Sequence, residues 1–379
     1  MTRALTLGET ARTLAVEFSA TADHYDATGA FPHANFERLH QAGLLALSAP
    51  TAHGGRGAGL ADAATVIGEI ARGEPSTALI LAMQYINLAV LPGKRWPEPI
   101  ARRVLADSAT KGALINALRV EADLGTPLRG GLPATTARRT ADGWSISGRK
   151  IYSTGVAGLS WWLVWARTDE SEPRVGLFLV PADTQGLNIE ETWNPLGMRA
   201  TASHDAILNE ARVPFDHAVD LRAPAEWGER DAEQSAWMAV LIGALYDGVA
   251  RAARDWLLKF LHERKPANLG AALATVPRLQ QAVGEIEELL AINARLLRSA
   301  ARDADAGEPP PPGECNLLKL SITENAIGAV EKALKLTGNH GVSRHNPLER
   351  HYRNVLCARI HSPQEDMVRI AAGRAALQI

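Results

Sequence analysis

The chain has 379 residues, 46% hydrophobic and 22% charged, enough for two or three domains that each bury a core. Forty Lys and Arg against 42 Asp and Glu leave a formal net charge of −2, which argues against binding dominated by nucleic-acid backbone. Two cysteines, Cys315 and Cys357, cannot build a disulfide framework, and neither lies in a C-x-x-C spacing. Residues 1–6 lack the apolar core of a signal peptide, and the longest aliphatic stretch, 238–245, is far short of the roughly 20 residues that cross a bilayer. A cytoplasmic protein without a membrane span is the expectation.

In chain order, residues 8–23 place apolar side chains on a 3.6-residue period and predict a helix. Phe31-Pro32 precedes an amphipathic helix over 35–42 that ends at Gly43, a good C-cap. After the Gly54-Gly55-Arg56-Gly57 turn, helix-forming runs recur at 61–71, 76–91 and 97–109. Near Gly112 the texture changes. Strand patterns follow at 114–118, 135–140, 144–152, 161–166, 175–180 and 206–213, with Asp142-Gly143 as a hairpin turn. No long helical pattern separates them, so an antiparallel barrel or sandwich is expected. From about Glu226 helices return: 235–262, apolar nearly all round its upper half, then 276–302, 317–336, and a last one from about Pro363 to Ala376. The run Gly307 to Gly313, with four prolines, is a stiff connection rather than a boundary.

No Walker loop, G-x-G-x-x-G, H-E-x-x-H or G-x-S-x-G occurs, and the eleven histidines are scattered. A protein-bound metal is not expected, and an organic cofactor is the natural carrier of any redox chemistry. Three clusters stand out. Gly148-Arg149-Lys150-Ile151-Tyr152-Ser153-Thr154-Gly155 ends a strand in hydroxyl groups. Gly197-Met198-Arg199-Ala200-Thr201-Ala202-Ser203-His204-Asp205 is a turn dense in polar groups. Gly338-Asn339-His340-Gly341 follows a long helix, with Arg344, Arg350 and Arg353 before His361. Singly, each reads as a capped turn or a helix end with solvated basic residues.

In this order the clusters resemble the acyl-CoA dehydrogenase superfamily of flavoproteins, along essentially the whole chain. Gln41-Ala42-Gly43-Leu44 with Ala49-Pro50-Thr51-Ala52-His53-Gly54-Gly55 is similar to an N-terminal family segment. The 148–155 and 197–205 clusters are similar to its N-G-x-K-x-W-I-T-N and G-M-R-G-T-x-S-x-D motifs, and Glu263-Arg264-Lys265 and Gly338-x-x-Gly341 stand where further motifs fall. The resemblance implies an α+β, acyl-CoA dehydrogenase-like fold: an N-terminal helical domain (1–113), a middle antiparallel β-domain (114–225) and a C-terminal four-helix bundle (226–379). It implies FAD as cofactor, with FMN as the alternative. Tyr152, Ser153 and Thr154 would lie at the flavin ring. Arg264, Lys335, Gly338 and Gly341 would lie at the phosphates, with Arg264 reaching a neighbouring subunit's dinucleotide. A homodimer or tetramer is therefore implied.

The resemblance implies α,β-dehydrogenation of an acyl-CoA thioester, with a flavoprotein electron acceptor as partner. The family's proton-abstracting Glu position, however, holds Ser362, and a second position used by some relatives holds Met238. Glu365 would serve only if the start of the last helix were displaced. His361-Ser362-Pro363 is similar instead to the flavin monooxygenase branch, where His361 would be the catalytic residue and a flavin reductase the partner. The family's T-E-P-x-x-G-S-D loop is reduced to Val120-Glu121-Ala122-Asp123-Leu124-Gly125-Thr126, and Phe-Gly after Arg264 is Ala267-Asn268. The alternatives are thus a two-component monooxygenase acting on a small organic substrate, or a half-active partner subunit. Residues 83–86 and Tyr246 are the expected pocket walls. Trp161, Trp162 and Trp165 are read as packing within the β-domain.

Overall fold

The computed structural model describes residues 5–91, 96–123, 132–227 and 231–378. Six helices open the chain: α1 (Leu7–Ser19), α2 (Ala22–Thr28), α3 (His33–Gln41), α4 (Leu60–Gly73), α5 (Pro75–Val90) and α6 (Glu98–Lys111). The single helix expected over 8–23 is two. Ser19 and Thr21 turn their hydroxyls onto the carbonyls of Val16 and Phe18, which ends α1. Thr6 and Glu9 form a reciprocal cap at the start of α1. Glu74 caps α5 by accepting from the backbone N–H groups of Ser76 and Thr77.

Eight strands follow: β1 (Ile115–Leu118), β2 (Thr136–Arg139), β3 (Gly143–Lys150), β4 (Trp161–Thr168), β5 (Val175–Pro181), β6 (Leu187–Glu190), β7 (Asp205–Pro214) and β8 (Ala218–Arg222). The sheet order is β6-β7-β3-β2-β4-β5-β8, with β1 also on β4. The sheet is mixed, which corrects the antiparallel expectation. β1 pairs in parallel with Trp161–Val164 and β2 in parallel with Arg167 and Thr168, so two short strands share one long neighbour. Local turn signals report only hairpins such as β2–β3, where Thr140 N–H donates to Gly143 O. They say nothing about a parallel partner reached by a crossover. Along β4 the alternation puts Trp162 into the main core and Trp161 and Trp165 into a second one, where Trp165 meets Trp227 edge to face at 4.3 Å. The three tryptophans are packing residues.

The chain closes with α7 (Ala232–Glu263), α8 (Pro277–Asp305), α9 (Pro312–Thr337), α10 (Asn339–Val342), α11 (Leu348–Leu356) and α12 (Glu365–Leu377). By length and composition α7 passes for a membrane span, yet 83% of its most apolar window is buried inside the protein. It is the central core helix, packed on α9, α8, α4 and α5. The initial and final helical segments therefore share one continuous core. α11 has no counterpart among the expected helices, because Arg350, His351 and Asn354 stand on its buried side beside Leu348 and Val355. Two of the three arginines read as solvated, Arg350 and Arg353, are anchors, while Arg344 is exposed as expected. Arg350 pairs with Asp23, and Arg353 with Asp26 at 2.6 Å and Glu349 at 2.7 Å, clamping α11 onto α2.

Candidate active site

The 197–205 turn joins all three parts of the chain. A Cβ on Gly197 would stand 2.3 Å from the carbonyl oxygen of Arg353, so only glycine lets the turn approach α11. Met198 N–H donates to Asn354 Oδ1 at 2.7 Å, and Arg199 Nε donates to Asp26 O at 2.6 Å. Its far end supports the 151–155 turn: Gly155 N–H donates to Thr201 O and Ser153 N–H to His204 O. Three hydroxyls, those of Thr201, Ser203 and Thr154, run from the buried turn outward, with Ser203 Oγ donating to Thr154 Oγ1 at 3.2 Å. Asn116 of β1 donates to Thr154 O at 3.0 Å.

Tyr152, Ser153 and Thr154 thus stand on one turn. Tyr152 adopts φ 55°, a left-handed conformation that costs a non-glycine residue about 1–3 kcal/mol, of the kind concentrated at binding sites. Its ring is 62% exposed and meets Trp193 edge to face at 6.1 Å. Ser153 Oγ is buried and has no hydrogen-bond partner among the described residues. An aromatic face, an orphaned hydroxyl and a half-buried hydroxyl side by side fit a planar ring with a polar edge, such as a flavin.

Behind this turn lies a pair the sequence reading did not single out. Lys150 is wholly buried, its Nζ 2.5 Å from Glu121 Oε1, and Glu121 also accepts from Ala134 N–H, Thr135 N–H and the Thr135 hydroxyl. Burial pushes the Lys150 ammonium down to about 8 against the opposing pull of Glu121. The retained Glu of the shortened T-E-P loop therefore faces inward, and residues 124–131, with Leu124, Gly125 and Thr126, lie outside the described residues.

Arg264, Lys335, Gly338 and Gly341 gather at one end of the C-terminal helices. Phe260, one turn before Arg264, packs on His340 at 5.1 Å. The side chains of Arg264 and Lys335 are exposed, and neither has a hydrogen bond or ion pair among the described residues. Gly338 has φ 54° with open space at its Cβ position. Gly341 is small for another reason, since a Cβ there would stand 2.3 Å from Thr337 Oγ1.

His361 stands elsewhere, in the segment between α11 and α12. Its Nε2 is 2.7 Å from the Tyr246 hydroxyl, in the middle of α7, and Lys319 Nζ donates to the carbonyls of His361 and Pro363. Burial, reinforced by the Lys319 charge, pushes the imidazole down to about 3, while burial raises the Tyr246 hydroxyl well above 10. Ser362 is next to it. Met238 is a partly buried core side chain. Glu365 is exposed at the start of α12, where it faces solvent and pairs with Arg369. Tyr246 was legible only as a pocket wall, because nothing in an apolar helix marks which hydroxyl has a partner.

His351, on the buried side of α11, is held near 3 as well, first by burial and then by the Arg350 charge. Both histidines stay neutral in the native protein but take up protons near 6.5 when unfolded. Their contribution is complete above about 6.5 and is lost as the pH falls toward 3. At about pH 5 each should cost about 2 kcal/mol. The thermal midpoint is expected to fall between about pH 7 and about pH 5, and to fall less in His351→Leu; equal midpoints at both pH values would contradict this.

Sequence models of three acyl-CoA dehydrogenase domains match the chain: the N-terminal domain over residues 3–92, the middle domain over 121–211 and the C-terminal domain over 232–377. YdbM of Bacillus subtilis (strain 168), named among the acyl-CoA dehydrogenases, is 36% identical over 94% of this chain and 92% of its own length. The structure of KijD3 in complex with FMN and dTDP-3-amino-2,3,6-trideoxy-4-keto-3-methyl-D-glucose is similar at a TM-score of 0.85 and 27% identity, covering 100% of this chain and 95% of that one. Butyryl-CoA dehydrogenase of Megasphaera elsdenii shares the fold at a TM-score of 0.87 and 19% identity, with 100% of both chains covered.

Proposed function

The chain belongs to the acyl-CoA dehydrogenase family of flavin-dependent oxidoreductases, and from that premise we propose that it is an oxygen-dependent member, a two-component monooxygenase of a small organic substrate. One observation carries the reading. Where the family places a carboxylate there is Ser362, beside a neutral imidazole bonded to a buried tyrosine, and neither Met238 nor Glu365 supplies a base. The flavin, FMN or FAD, would be held by Tyr152, Ser153 and Thr154 at its ring and by Arg264, Lys335 and Gly338 at its phosphates. The two sets would come from different protomers of a dimer or tetramer. When bound and reduced by a separate reductase, it supplies two electrons to O2, so that one oxygen atom enters the substrate and the other leaves as water.

The chain's own residues shape the site around that chemistry. Tyr246 stays protonated, and in the tautomer this reading takes its hydroxyl donates to His361 Nε2 while the imidazole proton stands on Nδ1 as a donor. A neutral imidazole is a poor base but can donate a hydrogen bond, and the buried Tyr246 beside the half-buried His361 restricts water at the reacting end. The Thr154 hydroxyl stands at the edge of the ring site, backed by Ser203 and Thr201.

A second reading, α,β-dehydrogenation of an acyl-CoA thioester with an electron-transferring flavoprotein as acceptor, is favoured by the 36% identity to YdbM. It requires a base that none of the three positions offers. The two separate under reduced FMN from a reductase in aerated buffer, with an indole, a dialkyl sulfide and a primary amine as probes. The proposal expects one of them to gain an oxygen atom, detected by mass. No oxygenated product from any probe, together with an enoyl product from an acyl-CoA, would overturn it.

A further inference from the structure

We propose that Lys319 is the positioning residue for His361, its ammonium clamping the backbone on both sides of Ser362 and so fixing where the imidazole stands. The proposal rests on the reading above that His361 acts in the reaction. Lys319 is on α9 and is 5% exposed. Its Nζ donates to His361 O and to Pro363 O, both at 2.6 Å. Burying an ammonium is costly unless its donors are met. Here two carbonyls of the segment between α11 and α12 accept two of its three donors, so the path of that segment is tied to one point on α9. Among the neighbouring buried positions on that helix Cys315, Ile322, Ala326 and Ile327 are apolar, and Thr323 turns its hydroxyl onto the Lys319 carbonyl, so a methionine would fill the same space.

His361 is therefore held from two helices, through its ring by Tyr246 of α7 and through its main chain by α9. The 2.7 Å ring contact requires the backbone to be set within a few tenths of an ångström. Among the described residues, Tyr246 on α7 bonds the imidazole, Lys319 on α9 acts on it by charge, and Cys357 on the same segment acts on Tyr246. Cys357 is pushed up to about 11 by burial and stays a thiol. Lys319 is the charge among them, and it opposes protonation of the ring.

The test uses full-length, flavin-loaded protein with carbon-13 at histidine Cε1. The His361 signal is assigned by its loss in His361→Gln. In the wild type that signal should be flat from about pH 8 to about pH 5. In Lys319→Met the signal should move away from its wild-type position across that range, as the ring leaves the Tyr246 hydroxyl, and reoxidation of bound reduced FMN by O2 should slow about tenfold. In Lys319→Arg the charge remains but spreads over a planar fork. The signal should then stay flat at a shifted position, with an intermediate reoxidation rate. A flat, unshifted His361 signal with wild-type reoxidation in Lys319→Met overturns the proposal. If Lys319→Met does not fold, wild-type signal and rate in Lys319→Arg overturn it. Should His361→Gln itself reoxidise at the wild-type rate, the functional reading fails, while the signal shift in Lys319→Met still decides what Lys319 does to the imidazole.

Discussion

Glu121→Ala is expected to lose about 3–5 kcal/mol of stability, the largest single effect foreseen for this chain. Lys150 is wholly buried, Arg119 is the other charge that acts on it and repels it, and Glu121 is a carboxylate that receives four hydrogen bonds. Without Glu121 the amine would fold neutral. Deprotonating a lysine of ordinary pKa near 10.4 at pH 7 costs about 5 kcal/mol, which sets the ceiling. The sign of the pH dependence follows. The unfolded chain binds a proton that the folded variant does not, so the variant gains stability as the pH rises from about 7 to about 9.5. Denaturant midpoints followed by tryptophan fluorescence at those two values check it: the deficit should shrink at the higher pH. A deficit below about 1 kcal/mol, or one independent of pH, would show that the pair is not what holds this region. Glu121→Leu with Lys150→Met should recover much of the loss, since an apolar pair needs no hydration. The effect should extend to cofactor affinity. Lys150 ends β3, Ile151 N–H donates to Val120 O beside Glu121, and the Tyr152–Thr154 turn begins at the next residue.

The second large effect concerns chemistry. His361→Ala should lower oxygen-dependent turnover about 10²–10³-fold while leaving flavin affinity within about twofold, because the ring contacts assigned to the flavin lie on the 151–155 turn. Tyr246→Phe keeps the ring and loses only the hydroxyl, leaving Nε2 unpaired in a buried setting, and should cost about tenfold. Steady-state rates and flavin titrations on the same preparations separate the two roles. A parallel loss of flavin and turnover in His361→Ala would move His361 from the reaction to the binding of the cofactor.

Much of the plan was legible because it is written in local patterns. The helical periods, the Asp142-Gly143 hairpin and the two polar turns at 148–155 and 197–205 are statements about neighbours in sequence. What escaped depends on partners far along the chain. β6 and β8 are mostly half-buried or exposed, so no apolar run marks them. The parallel pairing of β1 and β2 with β4 leaves no turn signal. α11 was hidden because its buried side carries Arg350, His351 and Asn354, which a hydropathy period counts as solvent-facing. The same holds at the site. Tyr152, Ser153, Thr154 and His361 lay in recognisable motifs. Tyr246, Lys319 and the Glu121–Lys150 pair gain their meaning only from contacts across 115, 42 and 29 residues of chain. Glu365 shows the reverse: one turn of uncertainty in a helix start decides whether a carboxylate faces a pocket or solvent, and here it pairs with Arg369 in the first turn of α12.

The central claim is that this site has no carboxylate to take a proton from the carbon next to a thioester carbonyl. Anaerobic titration of the flavin-loaded protein with short-, medium- and long-chain acyl-CoA thioesters tests it most directly. The visible absorption band of the oxidised flavin should persist through every addition. Bleaching of that band by any of the thioesters, with formation of the enoyl product, would contradict the claim.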